Sequence, residues 1–236
     1  MASRTGPPEV DDNILLERVR KLLEKSRATA NLHEADAFAA KAAEIIARHR
    51  LDPARLAPRQ SDGLGVREIP LGRGAYVRAR LALLSAVVSA HDAEVVFGAT
   101  PNGTIAYVAG FDADLDVIEL MYSSLHAQAS SRMAAERRGN AAATQWFRRS
   151  FLFGYAERIA ELLAESRRVA EAATVRSFGS PNSPALLERQ RRVERFAAES
   201  FGRVRKARAP GAASESGWRA GATAADRADV GRARLA

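Results

Sequence analysis

Residues 146–155 constrain this chain more than any other stretch. They read Trp-Phe-Arg-Arg-Ser-Phe-Leu-Phe-Gly-Tyr and hold five of the fifteen aromatic side chains. At a helical period, Phe147, Phe151, Tyr155, Ile159, Leu162 and Leu163 fall on one broad apolar arc. Trp146, Arg149 and Phe153 fall outside it, on the other side. A helix that is apolar on two sides is either sandwiched in a core or offers its second side to a partner. Gly154 sits inside this run, where glycine costs about 1 kcal/mol relative to alanine. Close approach of another backbone is the expected reason.

The rest of the composition bounds the answer. A chain of 236 residues with 47% hydrophobic and 27% charged residues has a globular composition. It has no cysteine, which excludes disulfides, thiolate metal sites and cysteine nucleophiles. The longest apolar run, residues 81–90, is too short to span a bilayer. The first ten residues lack the apolar segment of a secretion signal. A cytoplasmic protein with no membrane partner is expected.

Charge is unevenly placed. Residues 1–131 carry 15 Lys+Arg against 17 Asp+Glu, a balance of −2; residues 132–236 carry 21 against 11, a balance of +10. The excess positive charge therefore lies in the C-terminal part, where it suits an acidic partner such as nucleic acid. A compositional bias toward arginine, 32 of the 36 basic residues, competes with that reading.

Taken in order, residues 1–10 read as a disordered leader. Residues 11–52 read as a helical hairpin, with apolar positions Ile14, Leu15, Val19, Leu22 and Leu23 on the first helix. The second helix carries Leu32, Ala35, Ala39, Ala42 and Ile46, with Asn31 and Glu34 placed as a capping box. Residues 53–72, with three prolines and three glycines, read as a linker. Residues 73–206 form the predicted α+β domain, opening with a helix over 73–91. Two β-prone runs, 93–98 and 104–110, flank Asn102 and Gly103 and predict a hairpin. Long helices follow over 112–138 and 141–173, and a basic helix over 185–206. Residues 207–236 read as a tail rich in Gly, Ala and Arg. The predicted fold class is α+β, mostly helical.

The runs Val19 to Leu23, Asn31 to Ala35, Ala40 to Ala42 and Ala47 to His49 resemble domain-of-unknown-function family 2786 of bacteria and phages. Its pattern is a "KLL" helix, an "HEA" turn and a "KA" helix. The resemblance implies the hairpin and a link to phages or mobile elements, but no settled activity. Members often continue into a region with a Trp-Arg-Arg-Ser-Phe-like run and a glycine-rich ending, to which residues 75–236 are similar.

Candidate contact residues follow from chemistry. Trp146, Arg149 and Phe153 share a stripe at helical spacing, and rings beside a guanidinium can stack bases and hold phosphate. A helix buried on both sides, with Arg149 paired to a carboxylate, would explain the same spacing structurally. Arg148 lies within the apolar arc and either snorkels or pairs. Lys41 occupies the "KA" position. Arg219, between Gly217 and Gly221, could belong to an anion-binding nest or to a flexible tail.

No metal site is expected. His33 and Glu34 lack a second histidine at position 37, and His49 lies about 24 Å along the helix. Asp112, Asp114 and Asp116 suit a helix N-terminus better than a calcium loop, which would need glycine where Val117 stands. No phosphate loop or dinucleotide fingerprint occurs, and no cofactor is expected. The preferred expectation is a nucleic-acid-binding accessory protein without chemistry of its own. A protein-interaction adaptor or homo-oligomer, and a metal-dependent hydrolase of nucleic acid, are the alternatives.

Overall fold

The computed structural model describes residues 15, 18–19, 21–23, 25–26, 29, 32–49, 63–134, 136–178, 184–205 and 214–230. The expectations for the leader, the Asn31 cap and much of the linker lie outside them. The fold is mostly helical α+β. Its elements are α1 (Leu32–His49), β1 (Leu64–Gly72), α2 (Val77–Ala90), β2 (Glu94–Thr100) and β3 (Gly103–Phe111). Helices α3 (Asp112–Ala134), α4 (Ala141–Phe178), α5 (Pro184–Phe201) and α6 (Glu215–Ala225) complete it.

The described residues among 15–26 are helical. Val19 and Leu23 from that segment, Ala42 and Ile45 from α1, and Leu120 from α3 form a small cluster of their own. The N-terminal helices are therefore seated on α3. On α1 the buried positions are Ala42, Ala43 and Ile45, with Ile46 only partly covered. That face is rotated slightly from the predicted Ala39–Ala42–Ile46 stripe. Glu34 accepts a hydrogen bond from the Thr29 hydroxyl at 3.1 Å.

The sheet has the antiparallel order β1-β3-β2. The β2–β3 hairpin appears where the Asn-Gly signal placed it, with Thr100 opposite Gly103. Gly103 has φ +132°, and a Cβ there would lie 2.7 Å from the Gly72 carbonyl oxygen. The third strand corrects the expected linker. Residues 64–72 pair along β3 from Leu64↔Phe111 to Gly72↔Thr104, with a register shift after Pro70. Proline disguised this strand, but β1 is an edge of the sheet, where proline is tolerated.

Strand alternation sends Ile69, Ala106 and Val108 to one face, where they join Leu83, Leu84, Val87 and Val88 of α2 and Leu115, Ile118 and Leu125 of α3. Arg67 shares that face and donates to Glu119 at 2.7 Å and Asp116 at 3.0 Å, tying the edge strand to α3. Helix α5 lies against β3 and β2. There Arg189 stacks on the Phe111 ring at 3.6 Å and pairs with Asp114 at 2.5 Å, and Val193 and Ala197 are buried.

Beyond α2 and α3 comes α4, which contributes Phe147, Phe151, Leu152, Tyr155 and Ile159 to the core. This is the apolar arc read from the sequence. The expected tail needs correction: residues 215–225 are helical and docked. Ser214 caps α6, its hydroxyl accepting from the Gly217 amide. Backbone meets backbone between α6 and α4. A Cβ on Gly217 would lie 2.5 Å from the Phe147 carbonyl oxygen, and one on Gly221 would overlap the Phe151 carbonyl. On the other side, a Cβ on Gly154 would overlap the Trp218 carbonyl. Gly217 and Gly221 stand four apart, so one helix face carries both and lets the axes come together. Arg132 of α3 donates to the Ala224 and Arg227 carbonyls and fastens the far end of α6.

Candidate nucleic-acid interface

The interface is built from the start of α4. Asn140 caps this helix, its side-chain oxygen accepting from the Ala143 amide at 2.8 Å. Thr144 Oγ1 accepts from the Arg138 amide at 2.9 Å and holds the incoming chain against the first turn. Arg138 then stacks on the Phe147 ring at 3.6 Å and pairs with Glu136 at 3.0 Å. Arg137 and Arg138 are both exposed.

Trp146 and Arg149 are brought together. The Trp146 side chain is 56% exposed, and the Arg149 guanidinium lies 5.8 Å from its ring centre. Arg149 Nε is buried and meets no acceptor, and no carboxylate among the described residues pairs with its guanidinium. Phe153, two turns beyond Trp146, is partly buried against the core and lines a groove between α4 and α2. The stripe thus runs from an open ring into a recess.

The remaining candidates have other partners. Arg148 donates through Nε to the Glu136 carbonyl at 3.1 Å and through Nη2 to the Ala134 carbonyl at 3.0 Å. It satisfies acceptors left open where α3 ends. Lys41 is exposed on α1, away from this patch, and pairs with Glu44 at 2.6 Å. Arg219 is exposed on α6 and pairs with Glu215 at 2.5 Å. Its flanking glycines lie inside a helix, where they serve packing and form no nest. The acidic start of α3 is dispersed, with Asp114 on Arg189 and Asp116 on Arg67. Among the described residues no group of three or more His, Asp or Glu could hold a metal ion.

Two features of this region escape sequence reasoning. Arg138 joins the patch only because the chain turns back at Gly139. Trp218 comes from α6 to line the same groove as Phe153, its Nε1 donating to Glu157 at 3.0 Å. The glycines at 217 and 221, spaced for helix packing, were the signal that could have placed α6.

The fold and this patch together define a mostly helical α+β protein with a basic, aromatic surface at one helix start. Residues 15–52 match the family model described as Protein of unknown function (DUF2786), so the family resemblance holds over that segment. Comparison with curated proteins and with solved structures gives no match. Among the described residues no helix is long and apolar enough to cross a membrane.

Proposed function

We propose that this protein binds nucleic acid without chemistry of its own, engaging exposed bases and phosphates at the start of α4. The observation that carries the reading is the open Trp146 ring with an Arg149 guanidinium beside it that no carboxylate among the described residues neutralises. A flat ring stacks on any base, and a guanidinium serves both as phosphate donor and as stacking partner. Arg137, exposed beside the start of the helix, adds positive potential. The +10 balance of residues 132–236 supplies the wider field for encounter. Phosphate-driven affinity is strongest at low salt.

The test is titration of a fluorescently labelled single-stranded oligonucleotide, DNA and RNA in turn, at low and at moderate salt. Wild type should bind at low salt and weaken as salt rises. Trp146→Ala should lose about tenfold in affinity, within the 1–3 kcal/mol of one base stack. Arg149→Ala should weaken binding and flatten the salt dependence. Absence of wild-type binding at low salt removes the proposal.

A second reading, a homo-oligomer or adaptor, rests on different residues. Val169 on the distal part of α4 and Leu186 on α5 are 62% and 57% exposed. It expects a mass above that of one chain by light scattering, reduced to a monomer by Val169→Glu. A monomer at high micromolar concentration would dispose of the oligomer.

A further inference from the structure

The groove beside α4 has a chemistry unlike that of the Trp146 patch. Ala82, Ala86 and Ala90 on α2 and Ala156, Ala160 and Ala164 on α4 line it. Side chains this short leave the space between the helices unfilled, a groove of about 640 Å³. That size is in the range of sites that hold small organic ligands. Phe153 of α4 and Trp218 of α6 add their rings to the lining.

Ser85 and Ser89 on α2 add hydroxyl groups to the lining, and its charged groups are Arg167 and Glu157. Arg167 is held by both carboxylate oxygens of Asp92, at 2.6 and 3.0 Å, so its charge is balanced. Glu157 accepts from Trp218 Nε1 at 3.0 Å and, among the described residues, pairs with no cation. Along α4, Arg149 lies about 12 Å from Glu157 at the helical rise. The aromatic part of the groove therefore carries an uncompensated negative charge.

Ring faces attract ammonium groups, and a carboxylate beside them adds charge recognition. We propose that the groove binds a small organic cation: an ammonium group seated at Glu157 beside Phe153 and Trp218, on an apolar body lying along the alanines. A phosphate backbone would meet apolar walls and a carboxylate there, so this site is separate from the proposed nucleic-acid surface.

The test uses three probes that share one body: 4-phenylbutylammonium, 4-phenylbutanol and 4-phenylbutanoate. Binding is read from Trp218 fluorescence in a Trp146→Phe background, and by calorimetry on the unaltered chain. The amine should bind about tenfold more tightly than the alcohol, and the carboxylate more weakly than both. Glu157→Gln alters an exposed side chain and should leave the fold intact while abolishing the preference for amine over alcohol. Ala160→Leu fills the groove and should weaken all three. Equal affinity for amine and alcohol, no saturable binding of any probe, or a preference that survives Glu157→Gln overturns the assignment. Oligonucleotide binding is read separately at Trp146, so neither result stands in for the other.

Discussion

Gly221→Ala should lower the unfolding free energy by about 2–3 kcal/mol, although alanine is the better helix former. Helix propensity alone predicts a gain of about 1 kcal/mol. The added methyl group, however, would overlap the Phe151 carbonyl oxygen and come within 2.9 Å of the Tyr155 amide nitrogen. Both are backbone atoms inside α4 and cannot turn aside as a side-chain tip can. Overpacking of this kind costs roughly 1–3 kcal/mol or more, and a rigid obstacle places it at the upper end. Gly154→Ala, which meets the Trp218 carbonyl, should behave alike. Because both changes force the same pair of helices apart, the double variant should lose less than the sum of the two. Gly139→Ala is the control, since nothing lies within 4 Å of the added group. Urea unfolding followed by circular dichroism measures all four. A Gly221→Ala midpoint equal to or above wild type would show that α6 does not dock this way.

Acid should weaken the fold through His126 before most carboxylates are protonated. Burial, helped by the Arg80 guanidinium and opposed by Asp36, lowers its pKa from 6.5 to about 4. The ring stacks on Tyr122 at 5.8 Å, and Ser130 Oγ lies 3.4 Å from its Nε2. Between pH 4 and 6.5 the unfolded chain therefore binds a proton that the folded chain refuses. Stability is full above about pH 6.5 and falls as the pH drops through that window, by about 2–3 kcal/mol at pH 4.5. His91, also lowered by burial, contributes in the same direction. The effect of His126 is isolated by comparing wild type with His126→Gln at pH 7 and pH 4.5. The variant should lose less stability than wild type across that interval. An identical loss in both would mean that His126 is not held neutral.

The apolar arc of α4, the Asn-Gly hairpin and the N-terminal family motif were legible because each is a local pattern with a physical cause. Phe147, Phe151, Tyr155 and Ile159 share a face at any tertiary arrangement that keeps the helix. Gly103 must follow its turn because its φ excludes other residues at little cost. Strand β1 was hidden because Gly65, Pro70 and Gly72 read as loop residues. Its partner is β3, more than thirty residues on in sequence at every pairing, so no local signal records the match. The candidate contacts divide in the same way. Their spacing on α4 followed from the sequence. That Arg148 is engaged by the end of α3, while Arg149 is engaged by no carboxylate among the described residues, did not.

Residue order by itself determined where the helices before residue 207 run, though not α6, which stretch is most apolar, and that the positive charge is concentrated toward the C-terminal end. Only the tertiary structure decided what the second side of α4 meets. Part of it lies open to solvent at Trp146, part borders the alanine-lined groove, and Gly154 admits α6 backbone to backbone. The physical reason is distance along the chain. Gly154 is explained only by Trp218 and Gly221 only by Phe151 and Tyr155, and contact between residues so far apart is fixed by the packing of everything between them.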